Sequence, residues 1–334
     1  MKRIAAYFSA AFALAILFTV PAARADTTYN FQTLNNNTDP TFNQLLGVNN
    51  AGEIAGYYGS GATDHPNKGY TLAPPYGQGN YTNENFTNSV QTQVTGLNNN
   101  GTTVGFWADA DGNNFGFYKQ GSGSFVQVVN PNTGGGTVNQ LLGVNDVNLA
   151  VGFYQDANGV PHGYTYSIPG SSFAPVGPNG ATSSTATGIN NNGLISGFFA
   201  DANGNQHGFI DNAGNYMTFD DPNGTNTAFL GISNTQAVGT FVDPNGVTNG
   251  FVFNLLSQTF QTVNDPNASP NPAFDVTGTT INGINDKGQL VGFFSDGTNV
   301  NGFLASPVPE PTTLAMGSLG ALLALVGLKN RKKK

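Results

Sequence analysis

The 334-residue sequence has no cysteine, a single tryptophan and few charges, with Asp, Glu, Lys and Arg together making up 9%. Without thiols there is no disulfide staple, no thiolate nucleophile and no cysteine-ligated metal. Basic residues are almost missing from the middle of the chain. Between Asp26 and Ser306 only Lys68, Lys119 and Lys287 are basic, against eighteen of the nineteen acids, so this span carries about −15. Such a body repels phosphate backbones, which excludes nucleic acid as a partner. Glutamate is scarce too, Glu53 and Glu84 being the two in that span. The remaining acids are aspartates, which favour turns over helix faces. Apolar periodicity of 3.6 residues is absent outside the ends, while Gly numbers 45. The span 26–306 therefore reads as all-β.

The ends have a different character. Lys2 and Arg3 precede an apolar run over 4–20, followed by Pro21 and the triplet Ala23-Arg24-Ala25. A basic start, an apolar middle and an A-x-A exit predict a signal peptide over 1–25, cut by signal peptidase between Ala25 and Asp26. At the other end Val308, Pro309, Glu310 and Pro311 precede an uncharged stretch over 312–328 and a basic cluster over 329–334. That stretch is at the short limit for a bilayer span, and the basic cluster after it should remain cytoplasmic. A transient membrane anchor through 312–328 is expected. The order of motif, short helix and basic cluster resembles the PEP-CTERM sorting signal of Gram-negative bacteria, assigned here to 307–334. The resemblance implies recognition and removal of the tail by an exosortase, with delivery to the envelope surface or outside.

Between the ends one unit recurs. Gly47, Gly96, Gly143, Gly188, Gly231 and Gly283 are spaced 49, 47, 45, 43 and 52 residues apart. Each is followed by a glycine before an aromatic pair or its remnant, at Gly56, Gly105, Gly152, Gly197, Gly239 and Gly292, and then by a glycine–aromatic step such as Gly208-Phe209. Every unit reads as three strands joined by two short turns, then a fourth strand. The first turn is Asn-x-x-Gly in four copies, with Asn148 replacing the glycine in the third unit and one residue fewer in the fifth. The second is Asp-x-x-Gly, beginning at Asp109, Asp156, Asp201 and Asp243, with the preferences of a type I turn.

Fourth strands are expected at 81–86, 125–129, 173–176, 216–219 and 260–263, five for six units. The segment 29–34 supplies the sixth from the N-terminus. Four strands per repeat of this length is the arithmetic of a propeller blade. The expected fold is a six-bladed β-propeller closed by an N-terminal strand, a β-hairpin solenoid being the alternative. Gly-Ile-Asn-Asn-x-Gly followed by His207-Gly208-Phe209 also resembles the HAF repeat of bacterial extracellular proteins. The departures are glycine where that family usually has alanine, and His in two units of six.

Candidates for chemistry are few. His65, His162 and His207 are the three histidines, the last two at equivalent repeat positions that face different places around a ring. No G-x-S-x-G elbow or H-E-x-x-H pair occurs, and no catalytic residue or cofactor is expected. The segment beginning Asp109-Ala-Asp111-Gly112 is calcium-like at a glance, but lacks glycine at the sixth position and the distal glutamate of an EF-hand loop, so a plain type I turn is favoured and calcium is the lesser alternative. Trp107, His162 and His207 are the candidate ligand contacts, an aromatic or imidazole ring beside amides being suited to sugars. The favoured function is a non-enzymatic surface or matrix protein binding exopolysaccharide glycan or a surface protein, linked to biofilm. The alternative is a polysaccharide hydrolase or lyase using an acid pair such as Asp220 and Asp221.

Overall fold

Each repeat folds as one four-stranded antiparallel sheet. A computed structural model describes residues 26–135, 137–270 and 278–308. The signal peptide expected over 1–25, with Ala23 and Ala25, lies outside the described residues, as do Pro309, Glu310, Pro311 and the stretch 312–328. Blade 1 holds Asn43–Val48, Ile54–Tyr58, Lys68–Leu72 and Tyr81–Asn83. Blade 2 holds Gln91–Leu97, Thr102–Ala108, Asn114–Gln120 and Val126–Val128; blade 3 holds Asn139–Val144, Leu149–Gln155, Pro161–Ser167 and Ser172–Val176. Blade 4 holds Ser183–Ile189, Leu194–Ala200, Gln206–Asn212 and Asn215–Phe219; blade 5 holds Thr225–Ile232, Gln236–Val242, Thr248–Asn254 and Thr259–Thr262. Blade 6 takes Thr279–Ile284, Leu290–Ser295 and Val300–Pro307 from the C-terminal side, and Tyr29–Thr33 from the N-terminal side.

That last pairing closes the ring. Tyr29 opposes Pro307 and Thr33 opposes Phe303, while Phe31 packs on Phe303 with ring centroids 5.3 Å apart. First strands touch their neighbours in cyclic order, blade 6 returning to blade 1. A solenoid has no such return, so the alternative falls. The fourth strand of blade 1 stops at Asn83, short of the expected 86, because Phe86 leaves the sheet to stack on Trp107 of blade 2.

The three glycines of each repeat have separate steric causes. The first sits at a bulge in the innermost strand, and these six meet each other around the axis. A Cβ on Gly47 would stand 3.1 Å from the Cα of Gly96, and one on Gly283 would stand 3.1 Å from Gly47, completing the circle. The second faces the bulge from the neighbouring strand, where a Cβ on Gly197 would lie 2.2 Å from the Thr185 carbonyl oxygen. The third faces the next blade, and a Cβ on Gly208 would lie 2.5 Å from the Phe229 ring. Such contacts leave no room for any other residue.

The core is layered between blades. Val151 and Val176 of blade 3 pack against Ala186, Ile195 and Phe209 of blade 4, and the other junctions repeat this arrangement. Both turn types form as expected. Gly52, Gly101, Gly193 and Gly288 have positive φ in the first turn, with Asn148 at φ 59° in blade 3. In the shortened fifth copy Ser233 N–H donates to the Gln236 carbonyl at 2.8 Å.

Candidate functional site

The repeat asparagines turn out to have two tasks. Asn98 Oδ1 accepts from the N–H groups of Asn100 and Thr102, at 3.0 and 2.9 Å, holding its own turn. Its Nδ2 meanwhile donates across the blade boundary to the Asn145 carbonyl at 2.9 Å. Asn49, Asn145, Asn190 and Asn285 make the corresponding bonds to Asn98, Asn190, Ser233 and Asn49. The link from blade 5 is different because Ser233 has no amide. There Asn234 donates to Asp286 through its N–H and its Nδ2. Asp146 likewise gathers the amides of Asn99 and Asn191, each at 2.8 Å. These polar side chains encircle one mouth of the channel and lock it.

Chemistry is better served on the outside of the ring. Beside blade 3 lies a groove of about 310 Å³. Its floor carries Tyr154 and His162, cross-strand partners whose rings stack with centroids 5.2 Å apart. Asn130 and Asn132, from the crossover before the blade, stand on one side, and Thr182, Ser183 and Ser184 stand on the other. His162 Nε2 lies 3.1 Å from Asp156 Oδ2, so the ring is oriented while its side chain stays 41% exposed. Hydrogen bonding from the Val160 N–H, then from His162, holds the Asp156 carboxyl below the usual range.

Comparison with blade 2 explains why the groove is open here. The N–H of Phe86 bonds to Thr92 Oγ1 at the entry to blade 2, as that of Asn130 bonds to Asn139 Oδ1 at the entry to blade 3. Phe86 stacks flat on Trp107 at 4.5 Å, and Phe115 packs on the indole from the cross-strand position at 4.8 Å. Trp107 thus sits in packing between blades, its indole N–H buried and unpartnered among the described residues. An asparagine at the Phe86 position leaves Tyr154 lining a cavity. Sequence reasoning passed over Tyr154 and Asn130, because the signal is the identity of a crossover residue outside the regular repeat.

His207 occupies a separate cavity of about 240 Å³ by blade 4, lined also by Gln206, Asp220 and Thr225. Its Nδ1 lies 2.9 Å from Asp220 Oδ2 and its Nε2 3.6 Å from Asp201 Oδ2. The bond to Asp220, outweighing burial, raises the imidazole above its ordinary value. Asp201 is drawn down to about 2, chiefly by the Asn205 N–H. The acid pair does not act together: Asp220 is exposed beside His207, whereas Asp221 is 1% exposed with Oδ1 held by Asn223. His65 is bound to Asp39 at 2.6 Å. The second-turn aspartates are spent on their turns, Asp109 Oδ1 accepting from the N–H groups of Asp111 and Asn113. Among the described residues no group of three His, Asp or Glu is arranged to hold a metal ion.

Among solved structures the chain is similar to the SapL1 lectin in complex with α-methyl fucoside, at 11% identity and TM-score 0.49 over 81% of this chain and 97% of that one. TolB from Acinetobacter baumannii matches at 12% and 0.44, over 79% of this chain and 53% of that one. AofleA from Arthrobotrys oligospora matches at 9% and 0.45, over 84% and 90%. No curated protein matches the chain. Residues 307–332 match the PEP-CTERM protein-sorting motif, so the propeller is followed by a signal for export and sorting to the cell surface.

Proposed function

We propose that this is an exosortase-processed surface or extracellular protein of a Gram-negative bacterium, whose propeller binds glycan without cleaving it. The observation that carries the reading is the open groove beside blade 3. There a stacked Tyr154–His162 pair offers a ring face, and amides and hydroxyls stand on both sides. A sugar presents a C–H face and a rim of hydroxyls, which is the complementary pattern. The cavity around His207 is a smaller site of the same make, and Trp107 is assigned to packing. HAF-type repeats and a role in an exopolysaccharide matrix belong to the same reading.

A glycan array and a reducing-sugar assay on the secreted protein test it. Retention of a defined set of glycans is expected, weakened at least tenfold by Tyr154→Ala and by His162→Gln, with no new reducing ends. Release of reducing ends would replace binding by the hydrolase or lyase reading, and an array unaffected by both variants would remove the groove. The sorting part has its own test. Mass spectrometry of the mature protein should find a start at Asp26 and no peptide beyond Leu314, with processing near Pro309–Pro311. An intact lysine-rich C-terminus on most surface molecules would leave a simple membrane anchor instead.

A further inference from the structure

On the face opposite the asparagine ring the channel widens into a funnel of about 460 Å³, larger than the groove beside blade 3. The circle of glycines narrows it below to about 90 Å³, and the mouth beyond that circle holds about 70 Å³. Its floor is made by the residue before each ring glycine: Leu46, Thr95, Leu142, Thr187, Leu230 and Asn282. The two threonine hydroxyls are turned into the wall, each donating at 2.8 Å to a carbonyl of the next blade, Leu141 or Phe229. What remains is three leucines and one amide, Asn282, whose Oδ1 is buried with no partner among the described residues.

The wall is lopsided. Phe106, Phe153 and Phe198 line the opening from the second strands of blades 2, 3 and 4, all half-buried. Their counterparts in blades 1 and 6, Tyr57 and Phe293, are drawn instead into a cluster with Phe42 and Val300. Gln44, Gln93 and Gln140 stand between the phenylalanines and the floor. Gln44 and Gln140 are each engaged once, with Tyr57 O–H and with Asn114 Oδ1. The Gln93 amide has no hydrogen-bond partner among the described residues. No residue lining the funnel is charged, on a body that is otherwise strongly acidic.

We propose that this funnel is a second binding site, for a small uncharged amphipathic molecule. Its apolar ring or short chain rests on the leucines between the three phenylalanines, and one or two hydrogen-bonding groups meet Gln93 and Asn282. An ion would lose its hydration there with no counter-charge to replace it, which a neutral ligand avoids. The volume suits a molecule of up to three rings. The site shares no residue with the groove beside blade 3 and does not depend on the glycan reading.

Fluorescence titration of the intact secreted protein tests it with a matched pair of probes. N-phenyl-1-naphthylamine is neutral, and 1-anilinonaphthalene-8-sulfonate has the same rings with an anionic group added. The neutral probe should show saturable one-to-one enhancement, and the sulfonate at least tenfold weaker binding. Phe153→Ser and, separately, Gln93→Glu should each weaken the neutral probe at least tenfold, whereas Tyr154→Ala in the groove should leave it unchanged. Two variants are used so that a folding defect in one, seen in its melting curve, does not spare the idea. Absence of saturation, equal affinity for the sulfonate, or indifference to Gln93→Glu in a folded protein would overturn the proposal.

Discussion

Replacing Asn98 by aspartate separates the two tasks of the repeat asparagines. Aspartate keeps the Oδ1 acceptor that Asn100 and Thr102 require, and the second turns show that it holds such a turn well. If turn chemistry were the whole role, Asn98→Asp would be almost neutral. The structure adds two donated bonds, to the Asn145 carbonyl at 2.9 Å and to Asn148 Oδ1 at 3.1 Å, from a residue 3% exposed. Aspartate donates neither, and sets a carboxylate oxygen against a carbonyl. Two buried bonds at about 1 kcal/mol each, and about 1–3 kcal/mol for the groups left facing an acceptor, give about 3–5 kcal/mol in all. For a domain of this size that is a fall of about 6–10 °C in melting temperature. Calorimetry at pH 7 measures it, with Asp201→Asn as the control. That turn's bonds close among Asp201, Asn203 and Asn205, within its own blade, so a much smaller fall is expected there. The loss in Asn98→Asp should shrink at acid pH, where the new carboxyl is protonated and donates again. A variant melting within 1 °C of the parent would refute the interlocked ring.

Deleting residues 26–36 removes five register pairs and the buried Leu34 from blade 6. At about 1 kcal/mol per ladder bond, the loss rivals a typical total stability of about 5–15 kcal/mol, so aggregation or a large fall in melting temperature is expected; unchanged melting contradicts ring closure. Gly197→Ala drives a Cβ to 2.2 Å from the Thr185 oxygen, whereas Gly193→Ala meets only strain at φ 82° in open space. The first should cost about 3 kcal/mol or more and the second about 1 kcal/mol in denaturant melts, and the reverse order would undo the steric assignment. The His207 pair has a folded value above its ordinary one, so its contribution is complete below about pH 6 and fades as pH rises through the raised value. The melting difference between the parent and His207→Gln should therefore be larger at pH 5.5 than at pH 8.5, an equal difference at both counting against the pairing. Asp201 has the opposite sign, its support being present above the usual carboxylate value and lost as pH falls toward 2.

Local features of the sequence determined a good deal of this protein. Asn or Asp followed by glycine at fixed spacing names its turn wherever it lies, because the bonds close within four residues. The glycine-marked unit recurs six times with one fourth strand stranded at residues 29–34, which pointed to a ring over a hairpin solenoid, and Tyr29–Thr33 against Val300–Pro307 is that closure. What lay beyond reach is everything made where equivalent positions of different blades meet. Asn98 reads as a turn residue until Asn145 arrives from 47 positions away, and Gly143 reads as flexible until Gly188 stands against it. The same holds for the sites. His162 was legible as a repeat position, but its open groove depends on Asn130 standing where blade 2 has Phe86. The funnel depends on phenylalanines and glutamines from several blades sharing one axis. Turn conformation is settled within a few residues of chain, whereas cavities and inter-blade bonds arise only when closure brings distant repeats to the same point in space.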